Sequence, residues 1–396
     1  MAALATVSPA RSRRLPTVPE QMQAVVVQAE YAPRTPARPG AMGIYRNVRA
    51  CLRRQPTPQP GPGEVLLEVQ YVGICGSDIH ALQLDAEGYS SSSVPAADWH
   101  QPQGLRLGHE YTAVVRAVGP RVRRRWLGRS VTGDSLIPCR RCAICRSGQR
   151  NHCPSAALIG LERNGVFGEF AVVPASSLHW LEPIEATLGE AALEVGALAE
   201  PLGVAANALK AGLDCLPRRY PRALLVRGGG PIGLLAGLVA RILGFDPIVI
   251  VEPNPARLAL AGRLGLSGFF PNDLGPGSFQ DCFGPGATVV VDACGQVPGR
   301  ELLSGLRPGG VIVSIARTGA ESSWPDDLMI TNGVRRVCTR GHVGFLPWVL
   351  RQIASGRLDP RPLITRRLHG VDELGNRLQH PERFSDEGKV LCRIGA

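Results

Sequence analysis

The stretch Val226-Arg227-Gly228-Gly229-Gly230-Pro231-Ile232-Gly233 decides the fold. Gly228, Gly230 and Gly233 carry the spacing G-x-G-x-x-G. That pattern is cheap in a chain with 47 glycines, but its flanks are specific. The apolar run Ala223 to Arg227 reads as a strand, the run Pro231 to Leu243 as a helix, and Glu252 ends the next strand 24 residues beyond Gly228. In that setting Gly228 permits a tight turn, Gly230 lets backbone approach a pyrophosphate, and Gly233 lets helix meet strand. The helix N-terminus favours phosphate charge. Glu252 can accept hydrogen bonds from a ribose 2'-hydroxyl and would repel a 2'-phosphate, so NAD is expected ahead of NADP. Arg257 is the nearby group that argues the other way. Ile232, inside the motif, counts with the coenzyme-binding residues.

Outward from the loop, the pattern continues as a strand from Pro247 to Val251, a helix from Ala256 to Leu264, and strands Ala287 to Asp292 and Val311 to Ile315. Strand and helix in alternation predict a doubly wound parallel sheet. The first half differs. Short strands at Gln23 to Val27, Glu64 to Val69 and Tyr111 to Val118, divided by Gly and Pro, predict a β-rich, partly open barrel. Residues 84 to 104 read as a long polar loop. The tail from Pro347 has one helix and a strand near Val390, and is expected to pack back on the first domain.

The chain has 396 residues, 44% hydrophobic and 19% charged, which excludes wholesale disorder. Its net charge is +11, yet only Lys210 and Lys389 are lysines among 44 basic residues. The arginines are spread along the chain, as coding bias in a GC-rich bacterial genome would produce. Even the runs Arg121, Arg123, Arg124, Arg125 and Arg11, Arg13, Arg14 lack interleaved aromatics, so a nucleic-acid partner is not expected. No apolar stretch is long enough to cross a bilayer. The first twenty residues lack a secretory apolar core and read as an extension ahead of Met22. The cytoplasm is the expected compartment.

Cys139, Cys142, Cys145 and Cys153 are spaced C-x2-C-x2-C-x7-C. Four clustered thiolates suit a closed tetrahedral zinc site. An iron–sulfur cluster is the rival, since the first three spacings resemble one. Cys75, His109, Glu110 and Glu200 form a second set of metal donors, scattered along the chain. Cysteine, histidine and a carboxylate leave zinc an exchangeable position, where it can polarise an alcohol oxygen.

Taken together, these motifs resemble the zinc-containing medium-chain dehydrogenase/reductase family over about residues 22 to 396. The stretches Gly73-Ile74-Cys75-Gly76-Ser77-Asp78-Ile79-His80, Gly108-His109-Glu110 and Leu198-Ala199-Glu200-Pro201-Leu202 look like its polyol and sugar branch, which includes sorbitol, threonine and glucose dehydrogenases. The resemblance implies a GroES-like catalytic domain over 22–203, a Rossmann domain over 204–344 and a return over 345–396. It implies one catalytic and one structural zinc per chain. Cys75 and His109 would be direct ligands, and Glu110 and Glu200 direct or water-mediated ones. Ser77 would take the substrate proton, His80 would extend that relay, and Asp78 would order the cysteine loop. His342 follows the last Rossmann strand, near where this branch reaches nicotinamide and substrate.

The activity implied is NAD-linked interconversion of a secondary alcohol and its ketone in a small polar sugar, polyol, cyclitol or amino-alcohol, by a homodimer or homotetramer. A role in specialised metabolism, such as antibiotic biosynthesis, fits the unusual loops. The competing readings are a dehydrogenase of simple alcohols or thiol adducts, and a regulatory protein that binds NAD and zinc without turnover. Two departures stand out. Residues 81–107 make a long bridge between Cys75 and His109, expected near the substrate mouth. The segment Tyr31 to Leu52 is also long and is expected to be a surface excursion, with Tyr45, Arg46 and Asn47 as candidate substrate contacts.

Overall fold

Leu224–Arg227 lies at the centre of six parallel strands. Across the sheet the order is Ser267–Phe269, Ile248–Val251, Leu224–Arg227, Ala287–Asp292, Leu306–Ser314 and Arg335–Cys338. Leu225, Val226, Ile250 and Val289 to Val291 are all buried. Such unbroken apolar runs are what a parallel sheet covered on both faces requires. The chain leaves the central strand toward one edge and later returns to build the other. That switch point opens a crevice beyond the strand ends, where the glycine loop sits.

The computed structural model describes residues 17–34, 43–92, 99–273, 281–295, 303, 305–317 and 324–395. The expected N-terminal extension falls mainly on residues 1–16, outside the described residues, as does the middle of the 84–104 loop. Among the described residues no helix is long and apolar enough to cross a membrane.

The first half and the end of the chain share one seven-stranded sheet. Its spine is Glu64–Gly73, which pairs antiparallel with Glu110–Val118, with Phe170–Pro174 and with the C-terminal strand Lys389–Arg393. Gly73 stands opposite Glu110 on one side and Leu391 on the other. This register brings Cys75, the His109-Glu110 pair and Lys389 to one end of the sheet, although they are far apart in sequence.

Helix Ala199–Asp214 runs across the 203/204 division. Its first turn carries Glu200, while Ala205, Ala206, Ala208 and Leu209 belong to the core that includes Leu224, Val226 and Val289. Helix Leu346–Ala354 packs against it and against helix Glu182–Leu188. The tail therefore starts on the coenzyme side and crosses back through strands Ile364–His369 and Lys389–Arg393.

Two long segments differ from the sequence reading. The expected surface excursion contains a twelve-residue strand, Tyr45–Pro56, antiparallel to Gln21–Tyr31. Arg46, Arg49, Arg53 and Arg54 masked its alternation, but Tyr45, Val48 and Ala50 point into the first domain's core. Tyr45 packs at 5.4 Å between ring centroids on Trp99, so the polar 84–104 stretch carries a fully buried aromatic anchor. The arginine run also acquires aromatic neighbours. Arg125 and Arg129 lie over the ring of Trp180, which meets Trp126 edge-on. Strand Leu178–Trp180 supplies that ring from elsewhere in the chain.

Candidate functional site

Cys75 caps helix Gly76–Leu82 just after the spine strand ends. Asp78, fully buried in that helix, fixes two loops at once. Its Oδ2 accepts from Cys75 N at 3.0 Å and its Oδ1 accepts from Gly108 N at 3.2 Å. The same Oδ1 is 3.8 Å from His109 Nδ1. Asp78 thus orders the cysteine loop and also holds the histidine loop against it.

One donor atom each from Cys75, His109 and Glu110 lies within 4.8 Å of the others. His109 Nδ1 is buried and has no hydrogen-bond partner. Buried polar groups are rarely left so, and a thiol, an imidazole and a carboxylate around one point fit zinc. Burial works against charge on His109, but Asp78 and Cys75 beside it raise its pKa well above the ordinary histidine range. Metal binding would displace that proton.

Each of the two buried carboxylates faces a basic side chain. Lys389, 1% exposed, brings Nζ to 2.5 Å from the Glu110 carboxylate and donates to Ile74 O at 3.0 Å. Burial pulls the Lys389 pKa down, yet Glu110 and Cys75 outweigh it and the ammonium is held above its usual range. Gly73 makes room, because a side chain there would meet Glu110 Oε2 at 2.2 Å. Glu200 stands beside the close trio. Its Oε1 accepts from Ser135 Oγ at 2.7 Å and lies 3.2 Å from His342 Nε2. Burial raises the Glu200 pKa, but His342, His109 and Ser135 together hold it well below the usual carboxylate range.

Ser77 is half-buried in the same first turn. His80 is exposed, and its Nδ1 is engaged by Gln83 Oε1 at 3.1 Å, turned to the helix surface. Sequence reasoning missed Lys389, Ser135 and Asp134. Lys389 had a signal, being one of two lysines and followed by Val390, Leu391 and Cys392, a run that reads as buried. Ser135 and Asp134 had none. Tyr45 sits in the core, and Asn47 is taken by Glu30 at 2.9 Å.

The four remaining cysteines gather into one lobe. Sγ atoms of Cys139 and Cys145 are 4.0 Å apart, and those of Cys142 and Cys153 3.9 Å. Tetrahedral zinc at ~2.3 Å from each sulfur sets its sulfurs ~3.8 Å apart. An iron–sulfur cluster spreads thiolates over separate irons and needs a wider cage. N–H groups of Arg141 and Cys142 hold the Cys139 thiol down to about 6, as a metal-ready thiolate.

In the glycine loop, Gly228 has φ of 96°. A Cβ on Gly233 would lie 1.9 Å from Gly228 O, so helix Pro231–Ile242 starts hard against the turn. Glu252 is 4% exposed, with Oε2 accepting from Gly229 N at 2.6 Å and Oε1 from Asn254 N at 2.8 Å. Arg257 reaches across the loop, 3.6 Å from where a Gly230 Cβ would stand.

Comparison with known proteins matches this architecture. Residues 61–183 fit the alcohol dehydrogenase GroES-like domain, and residues 231–352 the zinc-binding dehydrogenase domain. An L-threonine 3-dehydrogenase from Rhizobium johnstonii is 30% identical over 345 residues, spanning 85% of this chain and 92% of the relative. Alcohol dehydrogenase TADH from Thermus sp. ATN1 superposes with a TM-score of 0.75 at 26% identity, covering 94% of this chain and all of that one. An Escherichia coli CFT073 alcohol dehydrogenase, solved with NADH, shares the fold at a TM-score of 0.77 and 23% identity, over 95% of this chain and all of that one. The GroES-like and Rossmann domains, the two metal-donor clusters and this relationship together make the chain a member of the zinc-binding medium-chain dehydrogenase/reductase family.

Proposed function

We propose that this protein interconverts a secondary alcohol and its ketone on a small polar molecule bearing further hydroxyl or amino groups, with NAD(H) as coenzyme. The observation that carries the reading is the close set of Cys75, His109 and Glu110, flanked by a second buried carboxylate, Glu200. L-threonine carries a secondary hydroxyl beside an amine, so the Rhizobium relative supports an amino-alcohol within this class.

In the oxidation, the substrate would give a hydride from its carbinol carbon to a bound nicotinamide and its hydroxyl proton to protein side chains, for a balance of ketone, NADH and a proton. Zinc, when bound, supplies a Lewis acid that lowers the pKa of the substrate hydroxyl. Cys75, His109 and Glu110 hold that metal, and Glu200 adjusts its surroundings. Ser77 takes the hydroxyl proton. His80, on the exposed face of the same helix, passes it to solvent. Gly228, Gly230, Ile232 and Gly233 seat the pyrophosphate, while Glu252 selects NAD. We place the enzyme in the cytoplasm as a homodimer or homotetramer, on the family resemblance; sedimentation reads the assembly.

The test is reduced-nicotinamide absorbance with purified, zinc-loaded protein, NAD or NADP, and a panel of sugars, cyclitols, amino-polyols, threonine and simple alcohols. NADH formation on a polyhydroxylated or amino-alcohol substrate is expected. Turnover confined to simple alcohols or thiol adducts would overturn the substrate class. Cys75→Ala should lose one of two zincs together with turnover while still binding NAD. Two bound zincs and NAD without turnover in either direction would favour a regulatory protein.

A further inference from the structure

His342 is completely buried, and it comes from the coenzyme side of the molecule. It lies between the last parallel strand, Arg335–Cys338, and helix Leu346–Ala354. Its Nε2 is 3.2 Å from Glu200 Oε1 and 3.2 Å from Ser135 Oγ, while Ser135 Oγ donates to that same Glu200 oxygen at 2.7 Å. Ser135 N also points its hydrogen at Nε2, at 3.3 Å, so this one ring nitrogen meets Glu200 and both polar groups of Ser135. Behind the ring, Nδ1 is 3.6 Å from Asp134 Oδ1.

The connection carrying His342 is fastened on both sides. Asn207 Nδ2 donates to Gly341 O at 2.9 Å, and Val343 N donates to Asn151 Oδ1 at 2.8 Å. Asn207 lies on helix Ala199–Asp214, the same helix that carries Glu200. Asn151 lies in the short 3-10 turn Arg150–His152, between Cys145 and Cys153 of the four-cysteine lobe. Gly203, one turn beyond Glu200, lets the connection come close, since a Cβ there would meet His342 Cβ at 2.9 Å. Glu200 is correspondingly absent from the close donor trio, although its charge acts on His109.

We propose that His342 is a positioning residue for the reaction: with Ser135 it holds Glu200 Oε1 off the metal, and because it belongs to the connection leaving the coenzyme sheet, it makes the reach of Glu200 depend on how that sheet seats against the catalytic domain. Coenzyme binding, which acts on the sheet, is thereby linked to the ligand set at the metal. This rests on the metal reading of Cys75, His109 and Glu110.

The test replaces the exchangeable zinc with cobalt, whose visible spectrum reports its ligands, in wild type, His342→Ala, His342→Gln and Ser135→Ala. A thiolate-to-cobalt band in the wild type is required first; its absence would defeat the metal reading and leave nothing to position. With it present, His342→Ala should change the coenzyme-free spectrum and lose the shift that NAD produces in the wild type. It should also lower kcat about tenfold, with KM less affected, as removal of a ligand's supporting partner does. His342→Gln, whose amide can donate to the same oxygen, should restore most of both. Should the alanine variant fail to fold, His342→Gln and Ser135→Ala carry the test, with smaller changes in the same direction. An unchanged spectrum with unchanged kcat overturns the proposal. So does a spectral change that persists when Glu200→Ala is added to His342→Ala.

Discussion

Lys389 Nζ lies 2.5 Å from the carboxylate of Glu110, and both side chains are closed off from solvent. Removing one member of a buried ion pair leaves the other uncompensated, at a cost of about 3–5 kcal/mol. Lys389→Met is therefore expected to unfold at a clearly lower temperature in the metal-free state. Zinc then becomes the main cation facing Glu110, so zinc addition should recover more of the melting temperature than in the wild type. Thermal unfolding with chelator and with saturating zinc measures both. Equal zinc-induced shifts in the two proteins would show that Lys389 does not compete for Glu110.

Cys145→Ser removes one thiolate from a cage whose sulfurs lie 3.9–4.0 Å apart. Zinc content should fall from two to one per chain. The lobe is tied to the 340–343 connection by Asn151 and Val343, so kcat should fall as well, although no cysteine of the lobe belongs to the catalytic trio. Metal analysis beside steady-state kinetics reads the two effects. Retention of both zincs would refute the four-thiolate site.

Glu252 accepts from Gly229 N as well as from Asn254 N, so it supports the glycine loop in addition to the coenzyme role proposed for it. Glu252→Ala should lower kcat/KM for NAD by about tenfold or more, the effect of losing a charge-assisted hydrogen bond. Relative activity with NADP should rise, because the repelling carboxylate is gone and Arg257 remains beside the loop. Paired NAD and NADP kinetics decide this. A wild type that already prefers NADP would reverse the reading of Glu252.

Gly233→Ala places a methyl carbon 1.9 Å from Gly228 O, a contact no rotamer relieves. The helix must move off the turn, and coenzyme binding should be lost while both zincs stay bound. Calorimetric titration with NAD on the zinc-loaded variant checks it. Near-native NAD affinity would mean that the loop can be rebuilt at low cost.

Within the tail, Glu387 ties the approach to the last strand to strand Ile364–His369, accepting from Thr365 Oγ1 at 2.6 Å and Arg366 Nε at 2.5 Å. Burial raises its pKa, but these partners outweigh it and the carboxyl is held below its ordinary value of 4.5. A folded pKa below the unfolded one contributes stability above the unfolded value and loses it as pH falls through the folded one. Glu387→Gln should therefore melt at a lower temperature near neutrality, with the gap to wild type narrowing below about pH 4.5. Melting curves across that range measure the gap, and a constant gap would contradict the linkage.

The sequence by itself determined the coenzyme fold, because glycine positions, strand length and the spacing to Glu252 are local constraints written in consecutive residues. It likewise determined the four-cysteine lobe, where all donors fall within fifteen residues, 139 to 153. Strand Tyr45–Pro56 escaped it because its burial depends on pairing with Gln21–Tyr31 and on Trp99, while four arginines hid the alternation. Only the tertiary structure decided how the catalytic site is arranged. Sheet register, rather than sequence proximity, sets Lys389 against Glu110 across 279 residues, and His342 reaches Ser135 across 207. Lys389 beside Glu110 and His342 beside Glu200 are partners supplied from other elements, and no local pattern encodes them.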